Sequence, residues 1–145
     1  MCGICGLIPR AEISEDEFAL ASQRVSRAVT FMHRRGPDGA NVVAKPDYIL
    51  GHARLAVIDP NAGQQPYTDV PGYVGCYNGE IYNFRELRQR LQCEHFDTDC
   101  DTEVLVRAYA EYGPDALEQF NGMFAFAIWD QKKRELLLAR DRVGV

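Results

Sequence analysis

A cysteine stands directly after the initiator methionine, and a second follows three places on, in Met1-Cys2-Gly3-Ile4-Cys5-Gly6. Small second side chains permit removal of Met1, which would make Cys2 the first residue of the mature chain. Its free α-amine, with a pKa of about 7.7–8.0, would be roughly one quarter unprotonated near neutral pH. An amine on the same residue as a thiol can serve as that thiol's general base. One residue then supplies nucleophile and base, with no histidine required. His33, His52 and His95 fall in a helix, at a strand edge and in a loop, without an evident acidic partner, and read as structural or solvated. Other chemistries of Cys2-x-x-Cys5 are a redox pair or half a zinc site. Zinc needs two further ligands, which Cys93, His95 and Cys100 offer only at irregular spacing. A thioredoxin-like pair belongs at a strand-to-helix turn inside a βαβ unit, not at residue two.

The composition narrows the partners. The 145 residues suit one domain, 1–145. Lys and Arg number 16 against 21 Asp and Glu, a net charge of −5 that disfavours binding to a phosphate backbone. With 46% hydrophobic and 26% charged residues, the chain can bury a core and is not of disordered type. Its longest apolar run, Met123 to Trp129, is far short of a membrane span, and no apolar leader follows Met1. The expected location is the cytoplasm. Five cysteines, an odd set without regular spacing, do not form the framework of a secreted disulfide scaffold.

The elements that must position Cys2 follow from periodicity. Cys2–Ile8 reads as a short strand ending at Pro9. Ser14 and Glu17 form an S-x-x-E capping box, followed by Phe18, Ala21, Val25, Ala28, Val29 and Met32 at helical spacing. Arg34 and Arg35 suit the negative helix end, and Gly36-Pro37 stops it. Val42–Ala44, Tyr48–Gly51 and Ala53–Ile58 read as short strands. The stretch from Asp59 to Gly72 is long for a connection and reads as either an irregular functional loop or a mobile one, a candidate lid. Tyr73–Tyr77 reads as a strand ending at Asn78-Gly79. Short helices are expected from Asn83, from Asp101 or Thr102 as far as Gly113-Pro114, and from Pro114 to Phe120. Met123–Trp129 and Glu135–Arg140 form an expected β-hairpin, and Phe124, Phe126 and Ile128 are core residues. Strands at both ends and in the middle, with helices between, indicate an α+β layered domain.

Several segments occur in a telling order. They are the opening M-C-G-I-C-G, RRGPDG at 34–39, GHARLAVID at 51–59, YNGEIYN at 77–83, CDTEVL at 100–105 and FNGMFAFAIWD at 120–130. Together they resemble the glutaminase domain of class II glutamine amidotransferases, in the asparagine synthetase branch, across essentially the whole chain. The resemblance implies a fold of N-terminal-nucleophile hydrolase type, a four-layer α/β/β/α sandwich. It also implies hydrolysis of glutamine to glutamate and ammonia through a Cys2 thioester.

The same resemblance assigns roles by position. Attack on an amide creates an oxyanion that needs fixed donors. Asn78 offers a side-chain amide and Gly79 a backbone N–H, although Asn-Gly taken alone reads first as a tight turn. Arg54, at an expected strand start, suits the substrate's α-carboxylate because its guanidinium matches a carboxylate bidentately. Asp101 suits the α-ammonium, while an Asp before a helix is also a good N-cap. The strand Arg54, Leu55, Ala56, Val57 and Ile58 is expected to line the glutamine pocket, with Glu80 as a further contact. No metal is expected. RRGPDG reads chiefly as a helix cap and turn beside the site.

The pattern departs from the branch in places. Arg34 stands where the branch commonly has His, with His33 one place earlier, and Cys100 stands where Ser often precedes Asp-Thr-Glu. The ATP-binding synthetase domain, with its Ser-Gly-Gly-x-Asp-Ser phosphate loop, lies outside these residues. ATP and magnesium are therefore expected only there, and Ala139–Val145 resembles the point where such a chain runs on toward it. The expected partners are L-glutamine, that synthetase domain and a second copy in a homodimer, with neither nucleic acid nor membrane. Alternatives are a related amide synthetase with another acceptor and a non-catalytic docking version of the fold.

Overall fold

The computed structural model describes residues 1–56 and 63–145, organised as two compact units, 1–56 and 57–145. The first unit is a three-stranded antiparallel sheet with one helix against it. Its strands β1 (Gly3–Leu7), β2 (Gly39–Lys45) and β3 (Tyr48–Arg54) are arranged β1-β3-β2. The helix α1 (Glu15–Phe31) begins with the expected capping box. The Glu17 N–H donates to Ser14 Oγ at 3.3 Å, and the Ser14 N–H donates to Glu17 Oε2 at 2.8 Å. Ala21 and Val25 on its inner face pack with Ile49 of β3, and Cys5, Leu7, Phe18, Val42 and Ala44 close around them. The helix gives way at Met32–Arg34 to a tighter 3₁₀ turn before Gly36-Pro37.

β3 corrects the expected division into two strands. It is continuous from Tyr48 to Arg54 because His52 sits fully buried in the central strand, paired with Ile4 and Asn41 on either side. A polar residue there is no break in the ladder, and His52 is not at a sheet edge. Arg54 accordingly ends the strand instead of starting one.

The second unit is a sheet of β4 (Tyr73–Ile81), β5 (Gly122–Asp130) and β6 (Glu135–Arg140) in the order β4-β5-β6, fully antiparallel. Helices α2 (Phe84–Arg90) and α3 (Asp101–Tyr112) pack with it, and Gly113–Gln119 forms a 3₁₀ turn. Tyr77 and Ile81 of β4, Val104 and Leu105 of α3, and Phe124, Phe126 and Ile128 of β5 share one buried core. Phe120 meets Phe124 and Phe126 edge-on, the arrangement ring quadrupoles favour. The β5–β6 hairpin stands as expected, and Asp130 Oδ1 accepts the N–H groups of Lys132 and Lys133 in its turn. Asn83 does not cap α2 with its side chain. It instead donates to the Gln119 carbonyl at 2.9 Å and accepts the Asn121 N–H at 3.0 Å.

β4 also corrects its expectation, because Asn78-Gly79 lies inside the strand, paired with Ala125 and Phe124. Gly79 has φ +146°, and a Cβ on it would overlap the Met123 carbonyl oxygen of β5. A glycine therefore continues the ladder here where any other residue would break it. Among the described residues no helix is long and apolar enough to cross a membrane.

Candidate active site

In the first unit, the residues after Arg54 leave the ladder because site side chains take their backbone groups. The Leu55 N–H donates to Cys2 Sγ at 3.3 Å, and the Leu55 carbonyl lies 3.6 Å from the same sulfur, placed to accept its S–H. The Ala56 N–H donates to Asp38 Oδ2 at 2.8 Å. Asp38 in turn donates its own N–H to the Arg54 carbonyl at 2.9 Å. The strand end is thus clamped to Cys2 at Leu55 and to Asp38 at Ala56. Arg54 is 6% exposed at the last position of β3.

The loop at 34–39 does more than cap a helix. The Arg35 Nε–H donates to the Cys2 carbonyl at 3.2 Å, which steadies the main chain at Cys2. A Cβ on Gly36 would overlap the Ala53 carbonyl, so the loop backbone lies directly on β3. Sequence reasoning assigned Arg35 and Asp38 to a turn and missed these contacts.

Cys5 takes a different part. Its thiol faces the Val25 carbonyl at 3.9 Å within the α1 packing, and burial raises its pKa. It behaves as a small core side chain, while Cys2 is engaged at Leu55. The two thiols of Cys-x-x-Cys are committed to separate elements, which leaves the redox-pair reading without its geometry.

In the second unit, the ladder register decides which way each backbone group points. β4 is an edge strand, and alternate residues of an antiparallel edge turn their N–H away from the partner strand. Phe124, opposite Gly79, donates its N–H to Asp141 Oδ2 and accepts the Asp141 N–H at its carbonyl, so both its groups face the far side of β5. The odd-numbered residues of β4 therefore point outward. The Gly75 N–H goes to the Tyr67 carbonyl at 2.9 Å, the Tyr77 N–H to Gln65 Oε1, and the Ile81 N–H to Asp101 Oδ2 at 3.1 Å. Gly79 stands between the last two, and the alternation turns its N–H to the same edge. Tyr77 and Ile81 are buried in the core, whereas Asn78 and Glu80, on the opposite face, are half-buried.

Asp101 is the first residue of α3, and Cys100 occupies the cap position without a side-chain cap bond. The Asp101 carboxylate reaches across to β4 instead. Tyr77 donates its hydroxyl to Oδ2 at 2.6 Å, and the Ile81 N–H donates to the same oxygen. Burial raises the Asp101 pKa, and these donors oppose the rise. The loop from Gly63 onward is fastened to this edge. Gln65 holds the Tyr77 N–H and donates to Thr102 Oγ1 at 3.3 Å, and Tyr67 pairs with Gly75. Gln65, Pro66 and Tyr67 are buried, so this half of the expected lid is packed in place. Val57 and Ile58, expected in the pocket, and the loop's first residues as far as 62 lie outside the described residues.

The structure thus gathers Cys2, Arg54, Leu55 and Ala56 in one unit with Arg35 and Asp38. It gathers Asn78, Gly79, Glu80 and Asp101 in the other with Gln65 and Tyr77. Tyr77 and Gln65 are residues the sequence left unassigned. His33 lies in the 3₁₀ turn after α1, and His95 faces Asp97 at 3.7 Å on an exposed surface.

The chain matches the family model described as a glutamine amidotransferase domain over residues 1–145. It is 39% identical over 150 residues to asparagine synthetase [glutamine-hydrolyzing] 3 of Bacillus subtilis, covering 100% of this chain and 24% of that protein. It is 38% identical over 147 residues to asparagine synthetase B [glutamine-hydrolyzing] of Escherichia coli, covering 100% of this chain and 26% of that protein. Against asparagine synthetase [glutamine-hydrolyzing] 2 of Oryza sativa the identity is 37% over 146 residues. The chain spans about a quarter of the length of these relatives. With that match running from Met1 to Val145, and with the cysteine at residue two clamped at a strand end, the chain belongs to the glutamine amidotransferase domain family.

Proposed function

We propose that this chain hydrolyses L-glutamine to L-glutamate and ammonia, as the ammonia-supplying half of an ATP-dependent asparagine synthetase. The observation that carries the reading is the Cys2 sulfur held by the main chain of Leu55 beside Arg54. Removal of Met1 gives Cys2 a free α-amine. That amine takes the thiol proton as Sγ attacks the amide carbon, and it delivers the proton to the departing nitrogen as the C–N bond breaks and ammonia leaves. Water then cleaves the thioester, returning the thiol and releasing glutamate. The Leu55 N–H is a donor that a thiolate accepts more strongly than a thiol does.

Asn78, through its side chain, and Gly79, through its outward N–H, are the proposed oxyanion donors. Arg54 holds the α-carboxylate and Asp101 the α-ammonium, with Leu55, Ala56, Val57, Ile58 and Glu80 completing the pocket. Successive outward groups on a strand edge lie about 7 Å apart. This puts Asp101, at Ile81, one such step from the Gly79 N–H and supports their service to two ends of one small amino acid. The reading expects the two sheets in a four-layer α/β/β/α sandwich, ATP and magnesium in a separate synthetase domain, aspartate as acceptor, a homodimer, and a cytoplasmic setting.

The test is glutaminase turnover by the protein at its natural length. Cys2→Ala is expected to abolish glutamate release, and mass spectrometry to find Met1 absent from the active protein. Turnover by Cys2→Ala, or full activity with Met1 retained, would end the reading.

A further inference from the structure

We propose that Tyr77 is a positioning residue for substrate recognition, its hydroxyl holding the Asp101 carboxylate in the orientation that receives the substrate's α-ammonium. The proposal rests on the role of Asp101 proposed above and adds the residue that sets its geometry.

Tyr77 lies on β4 next to Asn78, with its ring in the core formed with Val104, Leu105 and Phe126. A phenylalanine would fill that volume equally well, so the hydroxyl contributes nothing that the packing needs. What it does is donate to Asp101 Oδ2 at 2.6 Å. The Ile81 N–H donates to the same oxygen at 3.1 Å from the strand edge. The N–H groups of Thr102 and Asp101 also donate to this carboxylate, so the hydroxyl is the one side-chain donor among main-chain donors and fixes the direction from which Oδ2 is held. The backbone around the pair is held as well. Gln65 accepts the Tyr77 N–H with Oε1 and donates to Thr102, the residue after Asp101, with Nε2. One glutamine therefore ties the tyrosine's strand to the aspartate's helix, and the hydroxyl completes the tie at the side-chain level. Asp101 is 5% exposed, so a carboxylate set at the wrong angle has little solvent-facing freedom with which to correct itself. The hydroxyl thereby couples the strand carrying Asn78 and Gly79 to the acidic group expected at the other end of the substrate.

The experiment compares L-glutamine with 4-carbamoylbutanoate, which is glutamine without its α-amino group, on the protein at its natural length. The readout is the ratio of the two kcat/KM values. Tyr77→Phe is expected to reduce the preference for glutamine about tenfold, the scale of one hydrogen bond to a charged group. The loss should appear in the KM for glutamine, with the values for the analogue unchanged. Asp101→Asn is expected to reduce the same preference further, with Asp101→Glu in its place if the first variant does not fold. If Asp101→Asn reduces the preference while Tyr77→Phe leaves it intact, or slows both substrates equally, the positioning role is overturned and the reading of Asp101 stands. If neither Asp101 variant alters the preference, that reading falls and the positioning role falls with it.

Discussion

Leu55 holds Cys2 through main-chain atoms alone, its N–H at 3.3 Å and its carbonyl at 3.6 Å from the sulfur, across 53 positions of sequence. Because the contacts are backbone contacts, what maintains them is whatever fixes the chain at Leu55, not the leucine side chain. Two neighbours do so, the Asp38 carboxylate at Ala56 and the close lie of Gly36 on Ala53.

Gly36→Ala is therefore expected to disturb Cys2 without touching it. Its Cβ would overlap the Ala53 carbonyl, and the loop must shift away from β3. Overpacking of this kind costs about 1–3 kcal/mol. A urea titration should show the loss of stability, and the alkylation rate of Cys2 by iodoacetamide should change in parallel. Unaltered values of both would show that the loop does not brace the strand end.

Gly79→Ala should be more damaging. The residue needs φ +146°, and any Cβ meets the Met123 carbonyl of β5. Strain at such a backbone position is worth about 1–3 kcal/mol, and overpacking adds a similar amount. A fall in the midpoint of chemical unfolding, accompanied by loss of turnover, is the expected result. Wild-type stability in this variant would mean that β4 and β5 separate easily at Asn78-Gly79.

Asp101→Asn should separate function from stability. Burial raises the pKa of Asp101, against the hydroxyl of Tyr77 and the N–H of Ile81, which favour the charged form. Between the unfolded and the folded pKa the native state binds more protons at this site, so the group's contribution to stability falls as pH rises through that window. At neutral pH the carboxylate is thus a net cost to folding. Asp101→Asn, which keeps an acceptor for Tyr77 and Ile81, is expected to match or exceed the wild-type melting temperature at pH 7 while glutamine KM rises. A clear drop in melting temperature would instead mark Asp101 as a structural charge.

Glu103 carries the opposite sign. Burial alone would raise its pKa, but the Thr98 hydroxyl, the Asp97 N–H, the Arg107 guanidinium and the Thr98 N–H together lower it. A depressed folded pKa means stability that is present above the unfolded value, near 4.5, and lost as pH falls through the folded pKa. Acid unfolding followed by circular dichroism should be shallower below pH 4.5 in Glu103→Gln, and that variant is expected to be less stable at pH 7. An unchanged acid limb would remove Glu103 from the groups that drive acid unfolding.

Much of the fold was legible locally. The capping box at Ser14 and Glu17, the apolar stripe of α1 and the β5–β6 hairpin all follow from spacings of two to four residues, and all stand where they were expected. The strand limits were misread wherever a polar or turn-forming pair lies inside a ladder. His52 looked like a break and is buried in a central strand, and Asn78-Gly79 looked like a turn and is paired throughout. Intrinsic preference speaks for the isolated segment, and pairing with a distant strand overrides it.

The sequence by itself determined the chemistry on offer: a thiol at residue two, the ordered segments that mark the family, and the residue types suited to an amino acid's two charges. Tertiary structure alone decided how those groups are presented. The outward turn of the Gly79 N–H follows from its register against Phe124, and the hold on Cys2 follows from β3 ending where Leu55 meets the sulfur. The Tyr77–Asp101 bond follows from α3 starting opposite the edge of β4. Hydrogen-bond direction along a strand alternates with every residue. A shift of one position in pairing would reverse each assignment, and that pairing depends on contacts that no local pattern encodes.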